Sequence, residues 1–439
     1  MKRIIAISWL LLCAPVFAQV PMTGAGKGAP TVSGAPMTTP ILVLAGFSPN
    51  PSNSTTNFSS LLGGRTTSPF SATESFVTTP MPIAGTIKNL NVFFPTTLSA
   101  GSWAISVSVN GSTVGAPTCT VTSVGPVQAC SDSSSSIAVA VGDLVSIKYV
   151  PTGTPTAQTF VQVSVTLTGT NNGESVIFSG GPVTPSNTAA NYVTFGGMSA
   201  ATATESTVSA VVATGGVIDN MSAKSTSSPA STVVMTLFKN GVATPLTCTF
   251  SGSTCTTTAG TNAVTVSAGD LISTESCPGP YSVGSCAPAS TPSMGNIRTS
   301  YRWRPTTSGE ALAFGGTNVT TYQAGATNWI YVNGSGGTTT AEAAIQNITP
   351  VAMTYKKLYS WLSIVPGGAT TRTFTLRQGT GASQSNTSVT CTVASAATTC
   401  QDSSNSYSSA AGNLIDMQTT VSATTSTPFG KIGMVLTVP

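Results

Sequence analysis

Thr118-Cys119-Thr120-Val121 is the stretch on which the fold turns, because the chain repeats it as Thr247-Cys248-Thr249-Phe250 and Thr390-Cys391-Thr392-Val393. A second cysteine follows each copy, at Cys130, Cys255 and Cys400. After it comes a tight turn that opens an apolar run: Gly142-Asp143-Leu144-Val145, Gly269-Asp270-Leu271-Ile272 and Gly412-Asn413-Leu414-Ile415. A period of this length is that of a whole domain, so the chain reads as three tandem copies of one small domain.

Outward from the cysteine motif, each copy alternates with the two-residue period of a half-buried strand. Ile105 and Val107, Met235 and Leu237, and Phe374 and Leu376 point inward, separated by Ser106, Thr236 and Thr375. Asn110-Gly111 and Asn240-Gly241 then mark type I′ hairpins, in which both central residues need positive φ. The third copy has Gly379-Thr380 there, so its turn must differ. On the returning strand Cys119, Cys248 and Cys391 share a face with Val121, Phe250 and Val393, and the threonines face water. The last strands alternate as Val161, Val163, Val165; Ile297, Thr299, Tyr301; and Ile432, Met434, Leu436. Ala341 to Gln346 is the best helical candidate, and it is short. Many short strands with frequent turns predict an all-β protein of three tandem jelly-roll-like β-sandwich domains, each with about eight strands.

The boundaries are a signal peptide over 1–18, a flexible leader over 19–40, and repeats over 41–170, 171–305 and 306–439. Lys2 and Arg3 precede a short apolar stretch, Ile4 to Ala14, and Val16-Phe17-Ala18 offers a cleavage site after Ala18. Losing Lys2 and Arg3 lowers the formal charge from +4 to +2, which excludes the concentrated basic surface that nucleic acid requires. No membrane span is expected after signal removal, and the product is secreted or held at the cell surface. Charged residues make up only 6% of the chain, about a quarter of the usual share.

Removal of Cys13 with the signal leaves eight cysteines, which pair most simply as Cys119–Cys130, Cys248–Cys255, Cys277–Cys286 and Cys391–Cys400. Three pairs recur in every copy; the fourth lies in a loop of the middle copy. Zinc is the rival reading, and the absence of histidine and of a tight Cys-x-x-Cys pair argues against it.

The succession of alternating strand, Asn-Gly, Thr-Cys-Thr-Val, Cys130-Ser131-Asp132-Ser133-Ser134, Val141 to Lys148 and Pro151 to Pro155 resembles the jelly-roll modules of secreted bacterial surface proteins and phage-type fibres. The resemblance covers nearly all of the first copy and most of the others. It implies a structural or adhesive role, and the export signal favours a cellular product.

Catalysis has little to work with. Without histidine there is no Ser-His-Asp or Cys-His nucleophile system, and paired cysteines leave no free thiolate. Asp143 and Asp270 sit at turns, where aspartate bonds its own backbone. Asp132 and Asp402 follow the second cysteine among serines, where calcium ligation is conceivable; the middle copy has Thr256 and Thr257 instead. No metal or other cofactor is expected. The best recognition candidates are aromatic: Trp329 and Tyr331, with Tyr355, Tyr359 and Trp361 nearby. Such rings stack on sugars or fill cores, and core filling is the commoner fate. Trp103 and Trp303 read as core or interdomain residues. The expected function is an exported non-enzymatic structural or adhesive surface protein, a rod or fibre of disulfide-pinned sandwiches. The alternative is a multivalent glycan-binding protein. Partners would be glycans, other surface proteins or further copies of the chain.

Overall fold

In the computed structural model the alternation becomes two packed sheets in each repeat. The structure describes residues 41–439 apart from 49–50, 66–69, 124–127, 159, 172, 181–188, 198–200, 283–284, 288–294, 318–320, 324, 337–340, 382–383 and 424–426; the signal peptide and leader expected over 1–40 lie outside the described residues. The chain is all-β, with three single-turn 3-10 helices among the described residues. One of these, Glu342–Ala344, is all that forms within the expected helical stretch.

In the first lobe one layer runs Ile41–Ser48, Val161–Gly169, Gly85–Phe93, Ala129–Val139. The other runs from Asn57–Ser59 and Thr79–Pro80, both paired with Leu144–Thr152, to Ser102–Val109 and Thr118–Thr122. The second and third lobes repeat this order, which is compatible with the jelly-roll expectation. The inward residues Trp103, Ile105, Val107, Met235, Leu237, Phe374 and Leu376 are fully buried, and Trp303 likewise fills the second core. Each recurring disulfide ties the Thr-Cys-Thr strand of one layer to the next strand, in the other layer. The fourth, Cys277–Cys286, closes the small hairpin of the middle lobe.

The turns also follow from the sequence. Asn110 and Gly111 have φ of 51° and 83°, and Asn240 and Gly241 have 53° and 77°, as a type I′ turn requires. Each asparagine then grips the distant Gly-Asp turn. Asn110 Nδ2 donates to Asp143 Oδ1 at 2.8 Å while its Oδ1 accepts from Leu144 N at 2.9 Å. Asn240 does the same with Asp270 and Leu271, at 2.7 and 2.8 Å. In the third lobe both partners have changed together: Asn413 Nδ2 donates to Gln378 Oε1 at 2.9 Å. The different turn and the Asp-to-Asn difference are one substitution of a paired contact.

The three lobes do not lie in series as the rod reading expected. The short edge Thr79–Pro80 of the first lobe packs on Gly216–Ser225 and Ile297–Pro305 of the second. Its counterpart Ala210–Val211 packs on Met353–Leu362 and Gly430–Thr437 of the third, and Asn347–Ile348 of the third returns to Val161–Gly169 and Gly85–Phe93 of the first. The contacts therefore close a ring, the intramolecular form of a cyclic head-to-tail interface. Near its centre, glycine-rich backbones meet: Gly63 bridges Gly197, and Gly64 bridges Ser335, so that layers of the first and third lobes merge into one ten-stranded sheet. Ser300 Oγ donates to Pro80 O at 2.6 Å in the first seam. Asn91 Nδ2 donates to Pro350 O at 2.8 Å in the seam that closes the ring. In the remaining seam a Cβ on Gly433 would stand 2.1 Å from Val211 O, so only glycine permits the approach. The physical reason for the ring is burial. Outward residues of the last strands are buried, and Gln162, Ser300 and Val435 meet the neighbouring lobe at Ala343, Pro80 and the second core.

Candidate functional site

A single bulge decides which aromatic residues can meet a ligand. The strand Met353–Leu362 shifts register between Lys356 and Leu358, and Lys357 takes φ of 52°. One extra residue reverses the parity of everything beyond it. Tyr355 therefore points into the core, fully buried, with its hydroxyl 3.1 Å from Thr349 Oγ1, and burial pushes its pKa up. Tyr359 and Trp361 emerge half-buried on the outer face. The sequence cluster Tyr355, Tyr359, Trp361 is thus split by the fold. Asn89 and Asn220 occupy the same bulge in the other lobes, with φ of 57° and 48°. Asparagine tolerates this conformation better than lysine does.

Trp329 and Tyr331 serve packing. Tyr331 is buried, and its hydroxyl donates to Ala344 O at 3.2 Å. Trp329 packs with Tyr331, Ala344, Ile345 and Phe160, the last from the first lobe, and so belongs to the closing seam.

Tyr359 faces a cleft of roughly 230 Å³ between the second and third lobes, where Thr214 and Ala268 oppose Lys357, Gln401 and Asp402. The bulge aims Lys357 Nζ at Glu310 Oε1, 2.6 Å away, and Lys356 Nζ reaches the same oxygen at 3.2 Å. Thr214 Oγ1 donates to the other Glu310 oxygen at 2.9 Å, so the charge at this edge is anchored across the seam.

Asp402 is structural. Its Oδ2 accepts from Thr390 N at 3.0 Å, and its Oδ1 from Ser404 N and Asn405 N at 3.2 and 3.0 Å. Burial alone would raise its pKa; these N–H bonds outweigh burial and hold the carboxyl below its usual range. Asp132 repeats the arrangement with Thr118, Ser134 and Ser135, with the same outcome. Both carboxylates cap the paired cysteine strands with backbone donors where calcium would need the same oxygens. In the middle lobe Thr257 stands at that position and makes a different contact, its Oγ1 accepting from Met221 N at 2.8 Å. Among the described residues no group of three His, Cys, Asp or Glu side chains is placed to hold a metal ion.

A second recurring carboxylate went unread in the sequence. Glu74, Glu205 and Glu342 each begin a 3-10 turn over the outer face of the strand that opens with the Gly-Asp turn. Glu74 Oε1 accepts from Ser146 Oγ at 2.8 Å, and Glu205 Oε1 from Ser273 Oγ at 2.9 Å. The third lobe has Asp416 at that serine's place, so two carboxyls face each other. Asp416 is fully buried, while Arg377 Nε lies 3.1 Å from Glu342 Oε1. Burial first, then the Glu342 charge, hold the Asp416 carboxyl well above its usual range against Arg377 and Gln346. Thr73-Glu74-Ser75 and Thr204-Glu205-Ser206 were the available signal. Its burial keeps Asp416 from any substrate. No helix among the described residues is long and apolar enough to cross a membrane.

No protein-family model and no curated protein matches this chain.

Proposed function

We propose that this chain is an exported, non-enzymatic structural or adhesive surface protein. A single-chain ring of three disulfide-pinned sandwiches takes the place of the expected rod. The observation that carries this reading is the closed set of seams, in which each lobe lays its short edge on the next lobe's sheet. Four disulfides favour an oxidising location outside the cytoplasm. The recurring carboxylates Asp132, Asp143, Asp270 and Asp402 are spent on backbone and turn contacts, which fits a body built to persist. Fractionation and protease shaving of producing cells test the location. A deletion strain assayed for surface attachment tests the role. Retention in the cytoplasm with free thiols would refute the proposal.

Glycan recognition is the second reading, favoured by one observation: Tyr359 and Trp361 stand two residues apart on an outer sheet face, with Tyr359 lining a cleft.

A further inference from the structure

Every charge at the cleft between the second and third lobes already has a partner. Lys356 and Lys357 share Glu310, and the Asp402 oxygens are filled by N–H donors. Two cations and two carboxylates cancel, so the cleft offers no net charge to an ionic ligand. Thr214 Oγ1 is likewise taken, between Glu310 and Lys357, and the remaining polar groups are neutral: the Ser403 hydroxyl and the Gln401 amide. Between them lie Ala213, Ala268 and the ring of Tyr359. An apolar floor inside a rim of neutral hydrogen-bonding groups matches a molecule with one apolar face and many hydroxyls. The volume, roughly 230 Å³, is smaller than pockets for drug-sized ligands, which begin at about 300 Å³, and suits a single ring.

We propose that this cleft binds one pyranose ring of a neutral glycan, stacked on Tyr359 and hydrogen-bonded by Gln401 and Ser403. The proposal rests on glycan recognition and narrows it to one place. It also changes the valency. Tyr359 pairs across the sheet with Gly433, and the matching pairs in the other lobes are Ser222 with Ser300 and Asn91 with Ser164. Ser222 and Asn91 present no ring, and Asn91 is already bonded to Pro350 O. The site therefore occurs once per chain, and the threefold repetition does not multiply it. Because both walls come from different lobes, a bound sugar also ties the second lobe to the third.

The test uses the full-length secreted protein, titrated with neutral cello-, malto-, manno- and chito-oligosaccharides by calorimetry and ligand-observed NMR. The expected result is one site per chain for at least one series. Tyr359→Ser, which installs the second lobe's residue, should weaken binding by about tenfold or more, the equivalent of about 1.4 kcal/mol. Tyr359→Phe should keep most of it. Gln401→Ala, on an exposed edge strand, should weaken binding as well, and it decides the matter if Tyr359→Ser fails to fold. Binding unchanged in Tyr359→Ser and Gln401→Ala would overturn this site while leaving glycan recognition standing. Three sites per chain would overturn the single-cleft assignment. No binding by any series would overturn the proposal and the second reading together.

Discussion

Replacing Asp416 with asparagine should change how stability depends on pH, with a sign fixed by burial. Asp416 is fully buried against Glu342, and one guanidinium, Arg377, is near the pair. Two carboxylates and one cation leave an uncompensated negative charge, so the folded pair keeps a proton. In the unfolded chain an aspartate releases its proton near pH ~3.9. Above that pH the folded state holds one proton more than the unfolded state. Stability then falls as pH rises toward the folded pKa, by at most about 1.4 kcal/mol per pH unit. Between pH 5 and 7 the parent should lose up to about 3 kcal/mol relative to Asp416→Asn, which has nothing to titrate there. Lys431 contributes the opposite slope: burial lowers its pKa to about 7, so its share of stability rises from that pH upward. The difference between parent and variant, rather than the parent's own profile, is therefore the readout. Urea denaturation at half-unit steps, with the disulfides intact, measures it. Parallel profiles for the two proteins would refute the shared proton. Asp416→Ser, which restores the residue of the other lobes, should behave like asparagine.

Three other perturbations probe the fold. Asp143→Ala frees the Asn110 amide and should cost about 1 kcal/mol in urea denaturation. Asn413→Asp should not restore an Asn–Asp clasp, because its partner is Gln378 rather than asparagine. Gly433→Ala drives a Cβ to 2.1 Å from Val211 O and should cost about 1–3 kcal/mol or more, whereas Gly381→Ala, with open space around it, should leave the melting temperature unchanged. Reduction of the disulfides should lower the melting temperature, since each short loop contributes about 2–3 kcal/mol on the chain-entropy model.

The interior of each lobe was legible because it obeys a local rule. Inward positions such as Ile105, Met235 and Phe374 alternate with polar ones, and cysteines recur at the same place, so layers and pairings follow from the sequence. The exterior was not legible in the same way. Serine and threonine on a strand suit water and a tight seam equally well, so Ser164 and Ser300 give no sign that a neighbouring lobe covers them. The bulge was half visible: Gly85-Thr86-Ile87-Lys88-Asn89-Leu90 and Gly216-Val217-Ile218-Asp219-Asn220-Met221 place an asparagine at the same point, but nothing local says that the residue there takes a left-handed conformation and reverses the strand's parity. That hidden reversal is why Tyr355 and Tyr359 looked like one cluster. The carboxyl pair was missed because its members, Glu342 and Asp416, are distant in sequence and only one of them recurs.

The three lobes also differ where they touch, and this has a physical consequence. A ring of identical head-to-tail seams would close within one chain or between chains equally well. Here the seams differ. Beside the first, Arg302 binds Glu174 and Asp219, at 2.5 and 2.6 Å, and Arg304 joins Asp219 at 2.8 Å. In the second, Thr214 Oγ1 donates across to Glu310, which Lys356 and Lys357 of its own lobe hold. The third uses Asn91 with Pro350 and the apolar packing of Phe160 on the cluster of Tyr331, Ala344 and Ile345. These ion pairs each close within one lobe. What crosses the seams is hydrogen bonding, from Ser300 to Pro80 O, from Thr214 to Glu310 and from Asn91 to Pro350 O. Placing the wrong edge on a sheet would leave such a buried group unpaired, at a cost of about 1–3 kcal/mol. Seam contacts that differ from one another favour one order of the lobes, with mismatched pairings penalised.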